Sequence, residues 1–188
     1  MKVTTILGSP KKNGNTATVL GFFEQLIERD HEVNRINVAF NDVNGCLGCY
    51  SCQKVPGALG CVQDDYASSV FEQIIGAGAV VYATPLYCWA FPGQMKLLID
   101  RSLCLTAGYG TPERKSLVEG KPAALLVTCD GPIENNADLI QGVFDRMSSF
   151  LKYVVVGKYV VPLCMTPDAV PGTGMQIAKK MAEDIVGA

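Results

Sequence analysis

The segment KVTTILGSPKKNGNTA at residues 2–17 decides the fold of this chain. Residues 2–7 are β-branched and apolar, which is typical of a buried strand. A polar loop of Gly, Ser, Pro, Lys and Asn follows, and from Thr16 onward apolar residues recur at helical spacing. A strand, a polar loop and a helix N-terminus together favour an anion, because the first backbone N–H groups of a helix are unpaired.

The loop also indicates which anion it binds. Its hydroxyl, amide and ammonium donors come from Ser9, Lys11, Asn13, Asn15 and Thr16. A P-loop requires lysine directly before the Ser or Thr, where this chain has Asn15, and the G-x-G-x-x-G fingerprint of dinucleotide sites is also absent. The loop therefore favours one terminal phosphate, as in FMN. An ordinary strand-to-helix turn with Asn15 as N-cap is the alternative interpretation.

Length and composition restrict the class of protein. The 188 residues, 48% hydrophobic and 18% charged, predict one globular domain over residues 1–188 with a sizeable core. A net charge of −2 gives no reason to expect a nucleic-acid partner. No apolar run approaches the roughly 18 residues of a membrane span, and a strand-like segment begins at the second residue. We therefore expect a cytoplasmic protein that does not contact a membrane.

Strand-like and helical patterns alternate along the chain. Strands are expected at residues 2–7, 32–38, 79–83, 123–128 and 154–163, and helices after the first loop and at 65–75, 92–103, 139–151 and 175–185. Such alternation predicts an α/β fold with a parallel sheet and helices on both faces. For five strands we expect a flavodoxin-like three-layer sandwich, with strand order 2-1-3-4-5 and a ligand outside the carboxyl ends of the strands.

The loops after the third and fourth strands should meet the phosphate loop at that edge of the sheet. The first of them, residues 84–93, contains Tyr87, Trp89 and Phe91, which suits stacking against a flat ring such as isoalloxazine. Packing or subunit contact is the alternative role for these aromatic residues. The second loop contains Cys129, Asp130 and Gly131, which either approach the polar edge of the ring or form a simple turn.

Four of the eight cysteines form the pattern C-x2-C-x2-C-x8-C, at Cys46, Cys49, Cys52 and Cys61. Zinc sites more often use two separated C-x2-C pairs, whereas closely repeated C-x2-C steps are nearer to iron–sulfur ligation. We therefore consider a 4Fe-4S cluster on this excursion at residues 46–61. A cysteine-rich excursion without metal, or with a reversible disulfide, is the alternative.

The remaining cysteines have no such spacing. Cys88 lies within the aromatic loop, while the others lie in or near apolar stretches and are expected to be packing residues: Cys104, Cys129 and Cys164. The single histidine, His31, is expected at the surface, which argues against a Ser-His-Asp hydrolase.

These motifs resemble those of the flavodoxin-like NAD(P)H-dependent FMN reductases and, within them, the iron–sulfur flavoproteins. The resemblance spans nearly the whole chain and rests on GSPKKNGNTA at 8–17, the cysteine run followed by Asp64-Asp65, TPLYCWAFPGQMKLLIDR at 84–101, and the strand ending near 128–131. It departs from the family at Cys61, which follows the third cysteine after eight residues, a longer gap than is usual in the iron–sulfur members.

The resemblance implies non-covalent FMN, reduction by NADH or NADPH, and a homodimer or homotetramer. Matching positions assign the phosphate to the five loop residues named above, and the isoalloxazine to Pro85, Leu86, Tyr87 and Trp89, with Cys88 in the same loop. The pair Asp100-Arg101 resembles a structural or interfacial element.

The function expected from these features is that of an FMN-dependent oxidoreductase. Hydride would pass from NAD(P)H to the flavin, and the electrons would then reach a small-molecule acceptor, a ferredoxin-like protein or the iron–sulfur centre. We predict no catalytic side chain, because the cofactor carries the chemistry. A non-enzymatic flavin or iron–sulfur electron carrier on the same fold is the first alternative, and an iron–sulfur or zinc module used only for interaction is the second.

Overall fold

Five parallel strands form the central sheet in a computed structural model that describes residues 1–187. The strands are β1 (Lys2–Leu7), β2 (Glu32–Asn37), β3 (Ala79–Pro85), β4 (Pro122–Thr128) and β5 (Val154–Val161). Their order across the sheet is β2-β1-β3-β4-β5, and every neighbouring pair is parallel. The predicted strand order is confirmed.

Five helices cover both faces of this sheet. They are α1 (Asn15–Ile27), α2 (Tyr66–Gly76), α3 (Gly93–Asp100), α4 (Asp138–Leu151) and α5 (Pro171–Val186). One core cluster joins α1 and α5 to one face, and a second joins α2, α3 and α4 to the other. Successive strand residues face opposite layers, so Ile6 enters one core and Leu7 the other. The three-layer sandwich is thus confirmed.

The structure differs from the predicted elements at some of their ends and by the addition of short elements. The third helix, expected to reach residue 103, stops at Asp100, and a separate short helical turn follows at Ser102–Leu105. The last strand ends at Val161, two residues earlier than expected. A two-residue antiparallel ribbon, Thr106–Ala107 with Lys115–Ser116, was not expected, because strands this short carry no periodic pattern. No helix within residues 1–187 combines the length and the apolar character needed to cross a membrane.

Backbone hydrogen bonds align the strand ends from which the predicted loops leave. Gly8 N–H donates to Ala83 O at 2.9 Å, and Leu86 N–H donates to Thr128 O at the same distance. Gly8 also allows α3 to approach, since a Cβ there would lie 2.9 Å from the side chain of Met95. The loops after β1, β3 and β4 therefore start side by side at the carboxyl edge of the sheet.

Candidate cofactor cleft and cysteine cavity

A cleft of about 300 Å³ lies at this carboxyl edge and is lined by the loops after β1, β3, β4 and β5. Ten of the thirteen predicted cofactor-binding residues line it. Five come from the first loop, three from the second and two from the third: Ser9, Lys11, Asn13, Asn15, Thr16; Pro85, Leu86, Tyr87; Cys129, Asp130. The other three, Cys88, Trp89 and Gly131, line an adjoining open hollow that shares Leu86, Cys129 and Asp130 with the cleft.

The first turn of α1 opens onto the cleft without a side-chain cap. Gly14 is the N-cap residue, and among residues 1–187 no side chain caps this helix end. The alternative with Asn15 as N-cap is therefore wrong, because Asn15 is already the first helical residue. Uncapped N–H groups and the positive end of the helix dipole make this turn a suitable anion site.

Two of the predicted phosphate residues also hold the loops together. The hydroxyl groups of Thr16 and Thr128 share a hydrogen bond of 2.6 Å in a buried position. The Asn15 side-chain amide donates to the carbonyl of Cys164, in the loop after β5. Asn15 and Thr16 therefore tie α1 to the ends of β4 and β5, a role that their spacing in the sequence did not indicate.

The aromatic turn after β3 has an unusual backbone. Tyr87 and Ala90 exchange two backbone hydrogen bonds, of 3.1 and 3.0 Å, across Cys88 and Trp89. Both central residues are left-handed, with φ of 48° and 60°, although neither is glycine. Such conformations cost on the order of 1–3 kcal/mol each and tend to persist at functional sites.

This turn holds two aromatic side chains away from the core. Trp89 is 57% exposed and Tyr87 is 44% exposed, whereas Phe91 is buried among core residues. The packing role is therefore confirmed for Phe91, while within this monomer Tyr87 and Trp89 face outward beside the cleft and the hollow.

Four residues that line the cleft were not among the predicted cofactor residues: Gly14, Thr128, Cys164 and Met165. Two of them follow β5, whose loop was not expected at the site. Burial raises the pKa of the Cys129 thiol to about 11 and also raises the pKa of Cys164. Both thiols are therefore protonated at neutral pH, which makes them poor nucleophiles.

A second, smaller cavity of about 30 Å³ is lined by all four cysteines of the C-x2-C-x2-C-x8-C run. Three of their sulfurs accept N–H groups: Cys46 from the Gly48 backbone at 3.4 Å, Cys52 from the Gln53 side chain at 3.4 Å, and Cys61 from Arg101 at 3.3 Å. Among residues 1–187, however, no three Cys, His, Asp or Glu side chains are grouped closely enough to hold a metal ion.

Arg101 closes the base of the cysteine-containing segment. It is 2% exposed, forms a buried ion pair with Asp65, and donates to the carbonyls of Asn44 at 3.4 Å and Gln63 at 3.5 Å. Burial alone would raise the pKa of Asp65, but the Asn44 N–H and the Arg101 guanidinium together keep that pKa below its ordinary value. Arg101 thus has a structural role, one of the two roles, structural or interfacial, that the resemblance implied for the pair Asp100-Arg101.

Comparisons with known proteins agree with this arrangement. The family model described as NADPH-dependent FMN reductase matches residues 1–168. An iron-sulfur flavoprotein of Archaeoglobus fulgidus is 29% identical over 100% of this chain and 80% of its own length. Another, of Methanosarcina thermophila, is 33% identical over 56% of this chain, which spans only 54% of that relative's length.

A solved structure shares the fold. The FMN-dependent NADH-azoreductase from Bacillus anthracis, crystallised in complex with FMN, superimposes with a TM-score of 0.71 over 97% of each chain, at 16% identity. At this identity the similarity establishes the flavodoxin-like architecture alone.

Proposed function

We propose that this chain, which belongs to the NADPH-dependent FMN reductase family, is an oxidoreductase that binds FMN non-covalently as one domain. The observation that carries the proposal is the convergence of an uncapped helix N-terminus and an aromatic turn on one cleft of about 300 Å³. One end of the cleft suits a phosphate and the other suits a flat ring.

The donor groups of the first loop fit a phosphate dianion. The first-turn N–H groups of α1 supply partial positive charge, and Lys11 adds a full charge beside them. Ser9 is 3% exposed, and its hydroxyl accepts the Lys11 N–H at 3.2 Å, which holds the loop in its turned conformation. Asn13, Asn15 and Thr16 complete the polar lining on the same side.

The other loops offer a surface for the ring. Pro85, Leu86 and Tyr87 would give the ring an apolar wall, and Cys129 and Asp130, which line the same cleft, would supply polar groups to its edge. The neighbouring hollow at Trp89 leaves room for a second flat molecule, such as a nicotinamide or an electron acceptor. When bound, FMN would supply the redox chemistry, namely the acceptance of a hydride from NAD(P)H and the transfer of its two electrons to that acceptor.

The role of the phosphate loop is tested with two adjacent lysines. Lys11 lines the cleft, whereas Lys12 lies over the ring of Phe40, 5.0 Å from its centroid. We expect Lys11→Ala to weaken FMN binding about tenfold, which corresponds to roughly 1.4 kcal/mol, and to leave riboflavin binding unchanged. Lys12→Ala is the matched control and should alter neither affinity. Equal affinity of the wild type for FMN and riboflavin, measured by flavin fluorescence, would contradict the phosphate assignment.

Enzymatic activity is tested separately from binding. The FMN-loaded protein, mixed anaerobically with NADH or NADPH, should lose its flavin absorbance and regain it when a quinone or an azo dye is added. A carrier without reductase activity would keep its flavin oxidised in the presence of either nicotinamide. Assembly as a homodimer or homotetramer, a cytoplasmic location and a ferredoxin-like partner remain parts of the same proposal.

A 4Fe-4S cluster on Cys46, Cys49, Cys52 and Cys61 is the second part of the proposal. The observation that favours it is that all four cysteines line one cavity and that three of their sulfurs accept N–H groups, as hydrogen bonds to sulfur tune such clusters. The cavity holds about 30 Å³, close to the volume of one water molecule. The segment must therefore open outward to admit a cluster.

Iron and acid-labile sulfide, measured on protein purified without oxygen, test this part. We expect about four of each per chain in the wild type and a loss of most of both in Cys49→Ser. Cys88→Ser is the matched control, since Cys88 is an exposed cysteine outside the cavity. A wild type without iron would refute the cluster and leave the FMN proposal intact.

A further inference from the structure

The open hollow beside the cofactor cleft has a volume of about 330 Å³, which is within the range of small-molecule sites. Two loops line it, with Leu86, Cys88 and Trp89 following β3, and Cys129, Asp130, Gly131 and Asn136 following β4. A flat molecule that enters the hollow therefore meets an indole ring and a carboxylate.

The indole of Trp89 is held toward solvent by its backbone. Trp89 and Cys88 are both left-handed, and the two hydrogen bonds between Tyr87 and Ala90 close the turn around them. Because this conformation is costly for residues other than glycine, it is a reason to look for a function of the exposed ring. The face of an indole stacks with flat rings and attracts cations.

The backbone of Asp130 is fixed on both sides by the loop after β5. The carbonyl of Cys129 accepts the Cys164 N–H at 3.1 Å, and the carbonyl of Gly131 accepts the Leu163 N–H at 3.3 Å. Asp130 itself is exposed to solvent. Its carboxylate is therefore attached to an ordered segment of backbone at the rim of the hollow.

The charge of the hollow is opposite to that of the phosphate loop. Lys11 and Lys12 belong to the phosphate loop, whereas residues 130–138 contain three carboxylates and no lysine or arginine. Among residues 1–187, those that line the hollow include no lysine, arginine or histidine, and Asp130 forms no ion pair. An anion that enters the hollow is therefore repelled by a carboxylate that no cation neutralises.

We propose that the hollow receives the electron acceptor, that it selects flat rings that are neutral or positively charged, and that Asp130 is the residue that excludes anionic ones. The identity of the ligand as an electron acceptor rests on the function proposed above. The selection by charge rests on the hollow alone, so the two can be tested separately.

The selection by charge is tested with the FMN-free protein. Trp89 is the single tryptophan of the chain, so quenching of its fluorescence reports binding at the hollow. Two probes share one pyridine ring: 1-methylnicotinamide is a cation and nicotinate is an anion. In Asp130→Asn the ratio of their association constants, cation to anion, should fall about tenfold, which corresponds to roughly 1.4 kcal/mol. A ratio between variants cancels the intrinsic quenching efficiency of each probe.

Glu134→Gln is the matched control. Glu134 is an exposed carboxylate of the same loop that does not line the hollow, so this variant removes the same charge from a neighbouring position. The ratio should change less than twofold in Glu134→Gln. An unchanged ratio in Asp130→Asn, or an equal fall in both variants, would overturn the role of Asp130.

The wild type alone provides a test that does not depend on folding of a variant. Raising the salt from about 0.01 to about 0.5 M shortens the screening length from roughly 30 Å to a few ångströms. The cation-to-anion ratio should therefore fall at least threefold as salt is added. A ratio that does not depend on salt would show that the hollow does not select by charge.

The identity of the ligand is tested with the FMN-loaded protein, reduced without oxygen and then mixed with naphthoquinone or naphthoquinone sulfonate. The ratio of the two oxidation rates, sulfonate to neutral quinone, should rise at least threefold in Asp130→Asn and stay within twofold in Glu134→Gln. An unchanged ratio in Asp130→Asn would place the acceptor outside the hollow. Protein that retains no FMN would refute the proposed function, and the Trp89 titration would still decide whether the hollow selects by charge.

Discussion

The cofactor cleft and the cysteine cavity are held in place by different means. The cleft is formed by loops that leave parallel strands at the same edge, and backbone hydrogen bonds such as Leu86 N to Thr128 O align them. The cysteine cavity lies on the connection between β2 and α2, which contains little regular structure and is held by side chains such as Gln53 and Arg101. The topology of the sheet thus builds one site, while a few buried polar contacts build the other.

The largest effect is expected from breaking the anchor of the cysteine cavity. Arg101→Met leaves the carboxylate of Asp65 buried and unpaired, so the free energy of unfolding should fall by about 3–5 kcal/mol. Urea unfolding of the FMN-free protein measures this change. Lys96→Met, which breaks the exposed pair between Lys96 and Asp100, is the control and should cost about 0.5 kcal/mol or less. Similar losses in the free energy of unfolding for the two variants would contradict the conclusion that the buried pair of Arg101 anchors the cysteine cavity.

The hydrogen bond between Thr16 and Thr128 anchors the cofactor cleft. It should contribute less to stability than the pair of Arg101 with Asp65, and two apolar side chains should be able to replace it. Thr16→Val leaves the buried hydroxyl of Thr128 without its partner and should cost about 1–3 kcal/mol. The double variant Thr16→Val/Thr128→Val removes both hydroxyl groups and should recover most of that loss. A double-mutant cycle by urea unfolding measures the coupling, and strictly additive losses would show that the pair is unimportant.

Gln53 tests the link between the cysteine segment and the ribbon. Its amide donates to the carbonyls of Leu103 and Thr106 and accepts the Tyr109 N–H at 3.0 Å. Gln53→Met should cost about 1–2 kcal/mol, or several degrees in Tm for a chain of this size. In Gln141→Met, which loses one side-chain hydrogen bond to the carbonyl of Ala137 at the start of α4, the Tm should change by less than half as much.

The smallest effect concerns pH. The folded pKa of Asp65 is lowered, mainly because the Asn44 N–H and Arg101 outweigh the opposing effect of burial. The contribution of the Asp65 carboxylate to the free energy of unfolding is therefore present at pH values above the ordinary carboxyl pKa of about 3.9. This contribution is lost as the pH falls through the lower pKa that Asp65 has in the folded state. The stability difference between wild type and Asp65→Asn should stay constant from pH 7 to about 5 and shrink below about 4. In Asp100→Asn, an exposed position, the difference from wild type should be small throughout.

Local patterns in the sequence predicted the fold and most of the cleft. The run of residues 2–7 matched β1, and the helix expected at residues 65–75 forms as α2, with Asp65 as its N-cap. The apolar strands before residues 84–93 and 128–132 predicted which loops would meet. These features depend on neighbours along the chain, so a single sequence contains them.

Other features had no local signal. The short pair Thr106–Ala107 with Lys115–Ser116 depends on contacts with Gln53, and Cys104 and Cys164 reach their cavities through packing of distant elements. The left-handed backbone of Cys88 and Trp89 could not be foreseen, because neither residue is glycine.

The sequence by itself determined the alternation of strands and helices, the order of the sheet and the phosphate-type loop at the end of β1, because periodicity and turn chemistry act over a few residues. Only the tertiary structure decided that Arg101 and Asp65 close the cysteine segment, that Thr16 pairs with Thr128, and that Cys104 lines the same cavity as the four-cysteine run. These are contacts between residues far apart in the chain, and their formation depends on how the completed layers pack.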